Sequence, residues 1–352
     1  MRKFSLICIS ILSLAGCSGT DNIEIKSTNN TLRLNTGTSM AAYLRSQAPP
    51  SLQSVEVWNN RYGPGLKLTT NHYEIFTTFL EPSILRSISG FVESAYRAYN
   101  SQLPEYIEIK SKFTIYLFAN RCQWENFTRN FADDQAEMFC KIKAGAYYHN
   151  GTCVLYDIGI ERTFSALAHE GWHQFNGSCF KFRLPSWLDE GIAMLFETHA
   201  SDNGQFYFQP SENMYRLDGL RKTLTDNKMI PIKELIEMNP GDVLATDQTK
   251  AVMAYYSQSY ALVRFLQEAN YGRWRGMYRR LLLDGLTGHW KLDEANQRIA
   301  LDRNLPKTVL WNRIVGRGLF EDYVSDDFDL IEKEYLAFCR KIIYPLAVNY
   351  QY

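Results

Sequence analysis

The chain has no run of eighteen consecutive apolar residues, no surplus of either charge, no internal repeat and no long low-complexity block. The first absence leaves no segment able to cross a bilayer as a helix. The second, 38 basic against 38 acidic side chains, argues against nucleic acid or any strongly charged partner. The third removes solenoid and propeller architectures. Cysteine is sparse, seven in 352 residues, and no spacing among the seven matches a cysteine zinc site. What is abundant is aromatic: 14% of the residues are Phe, Trp or Tyr, in an otherwise ordinary globular composition.

The N-terminus addresses the chain. Met1-Arg2-Lys3 is a short basic region, residues 4–15 are apolar, and Leu14-Ala15-Gly16-Cys17 follows. The apolar run is too short to span a membrane and fits a removable signal. The pattern resembles a bacterial lipoprotein signal peptide cleaved before Cys17, which that resemblance implies is acylated. Ser18 in place of Asp points to the outer membrane if the source is Gram-negative. The expectation is a body tethered to the cell envelope by lipid. The Ser-, Thr- and Asn-rich stretch from Ser18 to about Pro50 reads as spacer, with the tether extending over residues 17–62. About 290 residues remain beyond that spacer, enough for a large core or two subdomains.

The strongest chemical signal is His169-Glu170-Gly171-Trp172-His173, followed by Glu190 within Trp187-Leu188-Asp189-Glu190-Gly191. On a helix, residues i and i+4 share a face, so His169 and His173 can aim ring nitrogens at one metal ion. Glu190 supplies a third ligand and leaves a tetrahedral position open for water, the mark of a catalytic rather than a structural zinc. Glu170 is then placed as general base. Phe164, Leu167, Ala168, Trp172 and Phe175 follow helical spacing, so the motif helix must be partly buried. Ser186 reads as an N-cap with Asp189 closing a capping box, which sets Glu190 in the first turn of a second helix. Asp189 and Glu197 are the two carboxylates available to orient the histidines, the former read first as a cap.

These two segments resemble the gluzincin metallopeptidases, specifically the peptidase-MA-like group. A third segment, residues 255–266 (Tyr255-Tyr256-Ser257-Gln258-Ser259-Tyr260 and onward), is similar to the aminopeptidase N helix that carries the transition-state tyrosine. The resemblance covers roughly residues 66–270. It implies one Zn²⁺ per chain, peptide-bond hydrolysis, and Tyr256 as oxyanion donor, with Tyr255 and Tyr260 as rivals. It also implies that a sheet-edge strand, here Gly145-Ala146-Tyr147, binds the substrate backbone. Three departures narrow it. The spacer from His173 to Glu190 is two residues shorter than in the aminopeptidase N family. No Gly-Ala-Met-Glu-Asn segment is present, so aminopeptidase specificity does not carry over. Met194 stands where many gluzincins place the acidic residue that orients the first histidine.

The remaining pattern predicts an α+β fold. Strand character spans Leu66 to Leu80, a helix covers 83–100, a strand covers 113–118 and a helix lies near 121–132. Residues 144–156 form a hairpin about Asn150-Gly151, with His149 read as a surface residue. Helices are expected over about 186–199, 231–238, 251–269, 273–284, 306–316 and 325–342. The organisation expected is a signal over 1–16, a tether over 17–62, a strand-containing lobe over 63–160, a zinc-binding helical lobe over 161–270 and a helical region over 271–352, with the metal in the cleft between the lobes. Export would allow one or two disulfides among Cys122, Cys140, Cys153, Cys179 and Cys339. Three other classes stay open: a zinc-binding surface module without turnover, a hydrolase of a non-peptide amide with the same ligands, and a glycan-binding or scaffold lipoprotein suggested by the aromatic content.

Overall fold

The structure, a computed structural model, describes residues 36–142, 145–241 and 249–348. The signal and Cys17 lie outside the described residues. The chain is mixed α+β, as expected, built on one six-stranded sheet of order β1-β2-β3-β4-β6-β5. Strands β1 (Ser54–Val57), β2 (Leu66–Thr69) and β3 (Tyr73–Thr77) form an antiparallel meander. Strand β4 (Phe113–Phe118) runs parallel to β3 and to β6 (Thr152–Tyr156). Strand β5 (Ala146–His149) closes the sheet as an antiparallel edge. The β5–β6 turn is tight because Asn150 (φ 48°) and Gly151 (φ 79°) both take the left-handed region a two-residue hairpin demands.

Helices cover both faces of the sheet. Helix α2 (Pro82–Gln102) crosses from β3 to β4 and buries Ile84, Ile88, Phe91, Ala95 and Tyr99. Helices α3 (Arg121–Phe131) and α4 (Ala136–Phe139) fill the opposite face with Trp124, Phe127 and Phe139. Strand β6 lies between these two layers, so all five of its residues are buried and its pattern is continuous rather than alternating. Among the described residues the larger apolar cluster reaches from Met40 to Cys339 and takes in both the strand-containing and the helical parts of the chain, while the smaller lies under α3 and α4 on the opposite face of the sheet.

Three findings depart from expectation. Residues 36–62 are not a tether: α1 (Gly37–Gln47) is capped by Thr36, which accepts from the Ser39 N–H, and buries Met40, Ala41 and Leu44. β1 then joins the sheet. The helix expected over 186–199 is shorter. It comprises α6 (Ser186–Ala193) and a 3₁₀ turn to Phe196, and the chain then enters a hairpin of β7 (His199–Asp202) and β8 (Gln205–Phe208). Finally, Cys122, Cys140, Cys153, Cys179 and Cys339 are all free thiols, with Cys153 and Cys339 sealed in the core. The later helices follow the forecast more closely: α8 (Ile232–Leu235), α9 (Thr249–Gly272), α10 (Arg275–Thr287) and a C-terminal helix, Phe328–Val348. α7 (Met214–Thr225) and α11 (Glu294–Leu301) lie outside the expected helices.

Candidate metal centre

His169 and His173 lie on α5 (Ile160–Cys179), which packs along β5 and β6 and against α2. The fit to α2 is close. The Tyr99 hydroxyl donates to the Ala168 carbonyl at 2.7 Å, and a Cβ at Gly171 would come within 2.5 Å of the Tyr99 oxygen. Glycine inside the motif is therefore a packing requirement. Glu190 comes from α6, whose backbone lies almost against α9: a Cβ at Gly191 would sit 2.6 Å from the Ser259 carbonyl oxygen. The residue after Glu190 is thus also restricted to glycine.

These elements bring His169, His173 and Glu190 into one buried group whose donor atoms all lie within 4.8 Å of one another. Glu190 Oε2 stands 3.3 Å from His169 Nε2 and 3.9 Å from His173 Nε2. None of these three atoms has a hydrogen-bond partner of acceptable geometry, although such orphans are rare and costly in a protein interior. Each aims at the others across a shared point. Glu170, between the two histidines in sequence, is fully buried.

The other ring nitrogens are fixed by carboxylates. His169 Nδ1 lies 3.0 Å from Glu197 Oε1, and His173 Nδ1 lies 2.9 Å from Asp189 Oδ1. Each carboxylate is held in turn. Glu197 accepts from Arg216 at both oxygens (2.6 and 2.8 Å) and from Asn213 Nδ2 at 2.9 Å. Asp189 accepts from Asn176 Nδ2 at 2.6 Å and from Lys307 Nζ at 2.8 Å. Carboxylate–imidazole pairs of this kind set tautomer and ring orientation, leaving Nε2 as the lone-pair donor to a metal.

The electrostatics register the excess of carboxylate charge around the two imidazoles. Burial alone would depress His169, but Glu190 and Glu197 outweigh it and push the imidazole up to about 10. His173 is raised against burial by Asp189 and Glu190. Burial would raise Asp189, yet Lys307 and His173 hold it well below the usual carboxylate range. Arg216 and His169 do the same for Glu197 against its burial. Asp189 and Glu197 thus each own a cation, whereas among the described residues Glu190 faces only the two imidazoles. A positive charge is wanted at the point where the three donors meet, and a metal ion fits it.

The expected site residues fare differently. The three expected ligands, His169, His173 and Glu190, converge. Asp189 is not a capping residue: Pro185 occupies the N-cap of α6, Ser186 is already helical, and the carboxylate serves His173 instead. Glu197 takes the orienting role that Met194 cannot. Tyr256 is buried with its ring 5.4 Å from the Arg216 guanidinium, placing it beside the network behind His169. Tyr260 is committed elsewhere, donating to the Pro210 carbonyl and accepting from Arg264 Nη1. Gly145, Ala146 and Tyr147 border the sheet edge, but the Tyr147 side chain is core, stacked on Phe139 and hydrogen-bonded to Thr128. His149 is not a surface residue, because Phe131 and Phe139 pack over it. Arg216, Asn213, Asn176 and Lys307 carried no signal in the sequence, since nothing in their own neighbourhoods marks them. Comparison of the chain with protein-family models, with curated proteins and with solved structures returns no match.

Proposed function

We propose that this chain is a zinc-dependent peptidase of the gluzincin type. The observation that carries the reading is the convergence of three buried, unpartnered donor atoms from His169, His173 and Glu190 next to Glu170. Two imidazoles and one carboxylate are the donor set of catalytic zinc sites that keep one position open. When bound, zinc would lower the pKa of a water molecule and polarise the scissile carbonyl. Glu170 takes the proton of the attacking water and returns it to the leaving amine. Tyr256 offers its hydroxyl to the developing oxyanion, a role supported by its place on the helix packed against α6. The backbone of Gly145, Ala146 and Tyr147, along the outermost strand of the described sheet, is assigned to pairing with an extended substrate. Anchoring through acylated Cys17 in the cell envelope completes the proposal. It is supported by the first seventeen residues, and no described helix is long and apolar enough to cross a membrane.

One observation favours a second reading. His169, Glu170, His173 and Glu190 are each at most 2% exposed, as in a site that holds metal without turnover. Metal analysis and a peptide-library screen separate the two. For the peptidase, the parent carries about one zinc per chain and cleaves, while Glu170→Gln keeps zinc and loses turnover. Zinc without cleavage of any library peptide would leave the metal-holding module, and equal turnover in Glu170→Gln would sink the mechanism. The mass of membrane-extracted protein tests acylation at Cys17.

A further inference from the structure

The three ligands lie between residues 169 and 190, yet the groups that fix the helix bearing Glu190 come from far downstream. α6 has no side-chain cap of its own. Its Ser186 N–H donates instead to Asn312 Oδ1 at 2.9 Å, and the Asn312 amide is oriented by donating to the Thr308 carbonyl at 3.1 Å. One turn along α6, Lys307 Nζ meets Asp189 Oδ2 while the other Asp189 oxygen faces His173. Lys307 and Asp189 side chains are at most 6% exposed, so solvent and salt screen the pair little.

The linker that enters α6 is gripped by the same region. The N–H groups of Lys181, Phe182 and Arg183 donate to the carbonyls of Leu286, Gly285 and Ala300. The Arg183 guanidinium donates to the carbonyls of Asp302 and Leu305. Just past Lys307 the chain forms a π-helical stretch, Asn312–Arg317, a feature frequent at functional sites. Gly316 within it lies under Pro185, where an added Cβ would stand 3.3 Å from the proline Cβ.

We infer that Lys307 is a positioning residue of the metal centre, with Asn312 seating the same helix, so that the region beyond residue 271 is part of the metal site and not an appendage to it. The inference rests on the metal-holding part of the proposed function and is independent of peptidase turnover. Lys307 matches the charge of Asp189 and holds its carboxylate plane. The oxygen facing His173 Nδ1 thereby stays aimed, and His173 Nε2 stays turned toward the metal. Without the ammonium, Asp189 is a buried anion with no cation of its own, and the imidazole loses its fixed orientation.

The test uses the full folded chain. The parent, Lys307→Arg, Lys307→Met and the double variant Asp189→Asn with Lys307→Met are titrated with Zn²⁺ and Co²⁺ against a chromophoric chelator. The ligand-field spectrum of bound cobalt is recorded for each. Lys307→Arg should bind within about threefold of the parent and share its cobalt spectrum, because charge and donor are kept. Lys307→Met should bind about 10–100-fold more weakly, the usual effect of losing an outer hydrogen-bond partner of a metal site, with a changed spectrum. If circular dichroism shows Lys307→Met unfolded, the double variant decides. Lacking both charges, it should fold and bind at least about tenfold more weakly than the parent. Parent affinity together with the parent cobalt spectrum, in folded Lys307→Met or otherwise in the double variant, would overturn the inference and reduce Lys307 to scaffold. A parent that binds neither ion would overturn the metal site itself.

Discussion

Two pairs of histidines in this molecule, all buried but the half-buried His199, teach what burial alone does not. His169 and His173 sit among carboxylates: each Nδ1 is tied to Glu197 or Asp189, and each Nε2 points at Glu190. His149 and His199 sit among rings. Phe131 and Phe139 enclose the first; Phe91, Phe164, Phe206 and Phe208 surround the second. Each of these also carries an unpartnered nitrogen, its Nδ1. The difference lies in what that nitrogen faces. In the first pair two orphans and a carboxylate oxygen converge, whereas in the second a single orphan meets apolar surface. Accordingly carboxylates raise His169 and His173, while burial lowers His149 and His199. What sets a candidate metal-binding histidine apart is the company of its second nitrogen.

The comparison is broken most forcefully at the ligands. His173→Ala or Glu190→Ala should take bound metal from about one equivalent to none, read by elemental analysis after gel filtration, whereas His149→Gln and His199→Gln should keep it. Metal lost equally in all four would erase the distinction. The next effect is on folding. Arg216→Met strands Glu197 as a buried anion and should cost about 3–5 kcal/mol in urea denaturation, against less than about 1 kcal/mol for an exposed pair such as Arg298–Glu294. Gly191→Ala presses a methyl into the Ser259 carbonyl and Val263, so a loss of about 1–3 kcal/mol is expected, with weakened metal binding because α6 must shift.

The smallest effect is on pH dependence. The folded state disfavours charged His149, whereas the unfolded chain takes up its proton at the ordinary histidine value of about 6.5. Stability from this group is therefore present above that value and is lost as pH falls through it toward the lowered folded one. His149→Gln should flatten the decline of the denaturation midpoint between about pH 7 and pH 5. An unchanged slope would show that the ring is readily protonated in the folded state.

The His169–His173–Glu190 group was legible because helical spacing and a short separation in sequence place it. The network behind it was legible only in part. Asp189 and Glu197 are close enough to be weighed, but a carboxylate in a first helical turn reads more simply as a cap, and only the Pro185 N-cap rules that out. Lys307 lies 118 residues from its partner, a pairing that no local pattern encodes. In the fold, α1 was hidden by its Ser- and Thr-rich composition even though Met40, Ala41 and Leu44 share a face. The β7–β8 hairpin turns at Asn203-Gly204 with the same left-handed pair as Asn150-Gly151, and an overlong helix forecast ran into its first strand. Local signals located the chemistry, and long-range packing supplied its support.

The grip of residues 285–312 on α6 also sets an order of events in time. Chains are made from the N-terminus onward, so His169, His173 and Glu190 emerge well before Lys307 and Asn312. Until those two arrive, α6 has an unseated first turn and Asp189 lacks its ammonium, and the three donors are present in sequence but not held in place. Ordering of the three-donor group therefore waits on synthesis of the segment that holds Lys307 and Asn312.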